Sequence, residues 1–189
     1  DKTKLTVNNT GNINVSEEGS VGINGEKSTI ENGSTGIINI TKIKSAGIIA
    51  KSESAITNSG NINLTTATPN VGEGLVGISV DNTSTATNDG TITVSTKNST
   101  GISGKGGQIT NNNKIILNNI NSVGISSTDG SVFNSADTNN LIEVKNSNSV
   151  GIFAKITENA PFPLQTIFNK GTITLNGGNS KSSSVGIYS

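Results

Sequence analysis

The pattern Ile56-Thr57-Asn58-Ser59-Gly60-Asn61-Ile62-Asn63-Leu64 returns along the whole chain, at residues 7–15, 30–40, 86–94, 109–117, 132–144 and 167–175. Its Asn recurs at Asn9, Asn32, Asn58, Asn88, Asn111, Asn134 and Asn169, so successive steps are 23, 26, 30, 23, 23 and 35 residues. A second block, Val-Gly-Ile or a near relative, trails each copy at residues 21–23, 46–48, 76–78, 100–102, 123–125, 150–152 and 185–187. A period of this length is the mark of a repeat architecture, and it restricts the fold more than any local propensity does.

Within each unit apolar and polar residues alternate, as in Ile56, Ile62, Leu64, Val76 and Ile78 with Thr57, Asn61, Asn63 and Gly77 between them. Alternation of period two describes short strands with one buried face. Ile and Val outnumber Leu 37 to 7, and β-branched side chains suit a pleated strand while losing freedom in a helix. Three short strands cannot close a core alone, but stacked in register they bury one another. The expected fold is therefore all-β, a right-handed parallel β-helix (β-solenoid) of about seven rungs of 23 or more residues. Handedness follows from the general preference of parallel crossover connections.

Three local expectations follow. Ile13, Ile38, Ile62, Ile92, Ile115, Ile142 and Ile173 form one inward column, and Val15, Ile40, Leu64, Val94, Leu117, Val144 and Leu175 form another. The seven motif Asn stack as an amide ladder, a structural role. Gly11, Gly60, Gly90 and Gly171, two residues after the motif Asn, take positive φ at the corner, with Asn113 as a tolerated substitute.

Leu, Ile, Val and Phe make up 48 of the 189 residues and the net charge is zero, which argues against a disordered chain. Cys is absent, so no disulfide or thiolate chemistry is available. The 13 basic residues are all Lys and are spread singly, without stacking aromatics between them; nucleic-acid binding lacks both its electrostatic and its stacking component. No apolar run approaches the ~20 residues of a membrane span, and Asp1-Lys2-Thr3-Lys4-Leu5 has no signal-peptide core.

The sequence offers no catalytic residue, no metal ligand set and no cofactor-binding residue. The 13 acids are scattered and no His is present, so paired-carboxylate glycoside chemistry depends on residues brought together between rungs, and a Ser nucleophile has no imidazole base. Calcium-loop spacing is missing, and Gly104-Lys105-Gly106-Gly107 reads as a turn rather than a phosphate loop.

The chain reads as a single β-helix segment, 1–189, with insertions at 65–75, 153–166 and 176–184. The longest, fourteen residues from Phe153 to Thr166, gathers Phe153, Ile156, Pro161, Phe162, Pro163 and Leu164 among otherwise hydrophilic corners. Phe153, Ile156, Pro161, Phe162 and Leu164 are the candidate binding residues, with Phe162 as the anchor on a proline-stiffened loop. The alternative is that this loop is a cover over Phe168.

The run Ile-x-Asn-x-Gly-x-Ile-x-Leu/Val followed by Val-Gly-Ile, repeated with few aromatics and no Cys, resembles the passenger region of large monomeric autotransporters of Gram-negative bacteria, fusobacterial surface adhesins in particular. The shorter repeat of trimeric adhesin heads, about fourteen residues, fits less well. The resemblance implies a surface-displayed stalk and adhesin, without catalysis, exported through a C-terminal outer-membrane barrel that is not in this chain. It implies a host-cell or bacterial surface protein or glycan as partner, and a monomer with exposed rung ends excised from a longer passenger. A polysaccharide-processing β-helix enzyme and a purely structural β-solenoid are the alternatives.

Overall fold

The computed structural model describes residues 4–66, 74–135, 140–157, 166–176 and 183–189. Those residues form a β-solenoid with no helix: three parallel sheets of seven strands each, every strand pairing with its counterparts in the adjoining turns.

The first sheet contains the strand ending in the motif Asn: Leu5–Asn9, Ser28–Asn32, Ala55–Asn58, Thr85–Asn88, Gln108–Asn111, Ser131–Asn134 and Ile167–Asn169. The second contains Asn12–Val15, Ile37–Ile40, Asn61–Leu64, Thr91–Val94, Lys114–Leu117, Leu141–Val144 and Thr172–Leu175. The Val-Gly-Ile strands make the third: Val21–Glu26, Ala46–Lys51, Val76–Val80, Thr100–Lys105, Val123–Thr128, Val150–Lys155 and Val185–Tyr188. Val76, Thr100, Val123 and Val150 stand in adjacent rungs, as the repeat requires.

Both expected inward columns form. Ile38, Ile62, Ile92, Ile115 and Ile142 are fully buried, as are Ile40, Leu64, Val94, Leu117 and Val144. In the outermost turns, flanked on one side only, Ile13 and Ile173 are half-buried and Leu175 is 45% exposed. Leu175 thus departs from its expected place in the core. A side chain in a solenoid is covered by the rungs above and below, so a one-sided rung buries less.

The amide ladder is complete. Nδ2 of Asn9, Asn32, Asn58, Asn88, Asn111 and Asn134 each donates to Oδ1 of the next motif Asn at 2.7–2.8 Å. The second hydrogen of several of these amides goes to a corner carbonyl, as from Asn58 to Gly60 O and from Asn111 to Asn113 O. Five of the seven, Asn32 to Asn134, are fully buried, where an unpaired amide would be costly.

The motif glycines are required for a different reason from the one expected. Positive φ among the described glycines occurs at Gly19, Gly74 and Gly106, and not at Gly11, Gly60, Gly90 or Gly171; Asn113 also lacks it. At Gly90 a Cβ would lie 2.1 Å from Gly60 O, and at Gly60 it would lie 2.2 Å from Gly36 O, so at these two corners the preceding rung leaves no room for a side chain. Gly11, in the first of the described turns, would meet nothing. The same logic holds along the third sheet, where a Cβ on Gly47, Gly77, Gly101 or Gly124 would fall 2.5–2.7 Å from the next rung's glycine carbonyl.

Left-handed backbone recurs instead at the corner after the Val-Gly-Ile strand, at Lys27, Ser52, Glu53, Gly106 and Asp129, and at the turn before that strand, at Gly19, Lys44, Gly74, Asn98, Asn121 and Asn148. A serine follows one residue later in most units, and these serines form a second buried stack: Ser20 N donates to Ser45 Oγ, Ser122 N to Ser149 Oγ and Ser149 N to Ser184 Oγ.

Candidate functional site

The inside of the solenoid is filled with aliphatic, amide and hydroxyl side chains, so any recognition must occur on its outside. All five aromatic residues of the chain lie between Phe133 and Tyr188, and the four described ones point outward from the last two turns. Phe153 and Tyr188 occupy paired positions on the third sheet, their rings parallel within 6° and 5.5 Å apart. Phe133 and Phe168 are paired on the first sheet, rings tilted at 53° with centroids 6.4 Å apart, and Lys170 Nζ sits 5.0 Å over the Phe168 ring. Aromatic pairs in these arrangements contribute beyond their buried area, yet Tyr188 remains 56% exposed and Phe168 44% exposed.

Of the sequence-predicted binding residues, Phe153 is half-buried beneath Tyr188 and Ile156 is 66% exposed. Both line a cavity of about 760 Å³ together with Gly130, Ala154, Lys155, Ile167, Tyr188 and Ser189. Pro161, Phe162 and Leu164 lie outside the described residues, as do most of the insertions at 65–75 and 176–184. Sequence reasoning missed Phe133, Lys170 and Tyr188. The available signal was the confinement of every aromatic to the last third of the chain, once the repeat register is used to align them.

The titratable groups serve the corners. Asp129 accepts hydrogen bonds from Thr157 N at 2.6 Å and Thr157 Oγ1 at 2.7 Å; these two bonds, helped by Lys105 and Lys155, hold its carboxyl below the usual range against partial burial. Burial opposes ionisation of Asp81. The Ser84 hydroxyl, the Ser52 and Thr83 backbone and Lys51 outweigh it, so this carboxyl also lies below its ordinary value. Asp89 accepts from Asn112, and Glu18 and Glu143 pair with Lys44 and Lys145. No cluster of three His, Cys, Asp or Glu able to hold a metal occurs among the described residues. No described helix is long and apolar enough to cross a membrane.

No family model, no curated protein and no solved structure matches the chain.

Proposed function

We propose that this β-solenoid is a segment of an autotransporter passenger displayed on a bacterial surface, where it acts as a stalk and presents an adhesive face to host or bacterial cells without catalysis. The observation that carries this reading is the segregation of side chains. The inward columns are aliphatic, the outer faces of the early turns are rich in Asn, Thr and Ser, and the exposed aromatics gather on the last two turns. Exposed aromatic clusters on a rigid scaffold are the usual anchors of recognition. A solenoid also supplies length at low sequence cost, since each rung adds ~4.8 Å of height. The acids Asp81, Asp89, Asp129, Glu18 and Glu143 are engaged in corner bonds or ion pairs, which supports a non-catalytic role.

The test is binding of the purified, fluorescently labelled chain to epithelial and bacterial cells, beside a variant carrying Phe153→Ala and Tyr188→Ala. Saturable binding that drops at least about tenfold in the variant, as expected for loss of aromatic anchors, with unchanged thermal unfolding, supports the adhesive reading. Equal binding by both proteins removes the aromatic face from the function, and absence of binding to any cell leaves only the stalk.

A further inference from the structure

We infer that the outer face of the first sheet, over its last three turns, is a subsite for a pyranose ring carrying a carboxylate. The register places three outward columns side by side. The central one is Thr110, Phe133, Phe168; one flank begins at Gln108 and the other holds Asn112, Ser135 and Lys170. These residues line an open groove of about 470 Å³, within the range of small-ligand sites. In earlier turns the central column is Glu31, Thr57 and Thr87, so the groove belongs to this end alone.

The chemistry selects the occupant. A pyranose has one face of C–H bonds and an equator of hydroxyls. The former suits the negative face of an aromatic ring, and the latter matches amide and hydroxyl groups such as those of Gln108, Thr110 and Ser135. Neighbouring strands are ~4.8 Å apart and alternate residues along a strand about 7 Å apart, so one pyranose seated against the tilted Phe133 and Phe168 rings reaches both polar flanks. Lys170 supplies charge: it makes neither of the two ion pairs found among the described residues, and its ammonium rests over Phe168. A cation beside an aromatic floor favours an acidic sugar over a neutral one. This rests on the adhesive reading for its biological setting, although the groove is a different surface from the Phe153–Tyr188 stack.

The experiment is an NMR titration of the full-length, 15N-labelled chain with three probes: sialyllactose, a galacturonic acid trimer and lactose. The expected result is saturable shifts of the amides of Thr110, Phe133, Phe168 and Lys170 with one or both acidic probes, at a Kd of roughly 1 mM. Which acid binds distinguishes a host glycan from a bacterial polysaccharide. Phe168→Ala should abolish the saturable shifts. Lys170→Gln should weaken acid binding about fivefold, the upper range for an exposed charge pair, and bring it level with lactose, whereas Lys105→Gln on another corner should change nothing. Equal binding of lactose and the acids by the unmodified chain, shifts confined to other faces, the same loss from Lys105→Gln, or no shift with either acid would each overturn the inference. Because the spectrum reports folding directly, an unfolded Phe168→Ala variant leaves the Lys170→Gln arm decisive. Sugar binding that survives Phe153→Ala with Tyr188→Ala while cell attachment is lost, or the reverse, separates this inference from the adhesive reading.

Discussion

A rung with neighbours on both sides and a rung with one neighbour use the same residues to different effect. In the fourth turn Asn88, Gly90, Ile92 and Val94 are all buried. The equivalent Asn9, Gly11, Ile13 and Val15 of the first turn range from exposed to buried, and Leu175 of the last turn is half open. The motif therefore encodes contact with other rungs rather than the shape of its own turn. Substitutions at equivalent positions should diverge according to where in the stack they fall.

The sharpest contrast is at the corner glycine. Gly90→Ala should destabilise by about 5 kcal/mol, at the far end of single substitutions, because its Cβ would collide with the backbone of the preceding turn. Gly11→Ala should leave the urea midpoint unchanged. Equal effects at the two sites would show that local turn conformation, and not rung spacing, demands glycine. Next comes the core: Ile92→Ala should cost about 2 to 5 kcal/mol, but Leu175→Ala about 1 kcal/mol, since Leu175 is 45% exposed. A shared denaturation midpoint would break the comparison.

Asn88→Ala removes a donor and an acceptor from the ladder and leaves Asn58 Nδ2 and Asn111 Oδ1 without their partner. The expected loss is roughly 3 kcal/mol for two buried groups. Asn9→Ala, at the end of the ladder, removes only the donor to the buried Asn32 Oδ1 and should cost about half as much, roughly 1 to 2 kcal/mol.

Acid should act more gently. Asp81 and Asp129 both have folded-state pKa values held below the ordinary carboxylate value, so they contribute stability that is fully present above about pH 4. That contribution is lost as the pH falls from there through their folded-state values. Asp129→Asn should flatten the acid limb of a stability profile, and an unaltered limb would mean that the bonds to Thr157 carry no stability. The smallest effect has the opposite sign. Ser127 Oγ is buried without a hydrogen-bond partner, between Gly104 and Ala154 in its column, and Ser127→Ala should raise stability by about 1 kcal/mol.

Much of this fold was legible because its spacing is so regular. Two residues separate the paired inward columns in every unit, and one Asn precedes each pair, so strand, register and ladder all follow from counting. The conformation at Gly60 and Gly90 was misread because a glycine at a turn suggests positive φ, whereas here the constraint comes from a residue 24 to 30 positions away, in another rung. The serine stack was hidden for a related reason: Ser45, Ser122 and Ser149 look like ordinary turn residues until the rungs are superposed. The site was less readable still. Phe133 and Phe168 are 35 residues apart, and only the matched register across an insertion makes them neighbours on one face. Loop composition led toward Phe162, while the described aromatics stand on strands.

The ladder has one further property. Each of its six bonds runs the same way, from an amide nitrogen to the oxygen of the following turn. Their dipoles add, and the column is a buried wire with polarity. At any level the forward side of a rung offers hydrogen and the backward side offers oxygen. A turn laid down in reverse would set like against like at its centre, so the growing stack has a grammar of direction. Synthetic solenoids assembled from these units should join head to tail and reject head to head, even where their aliphatic layers match.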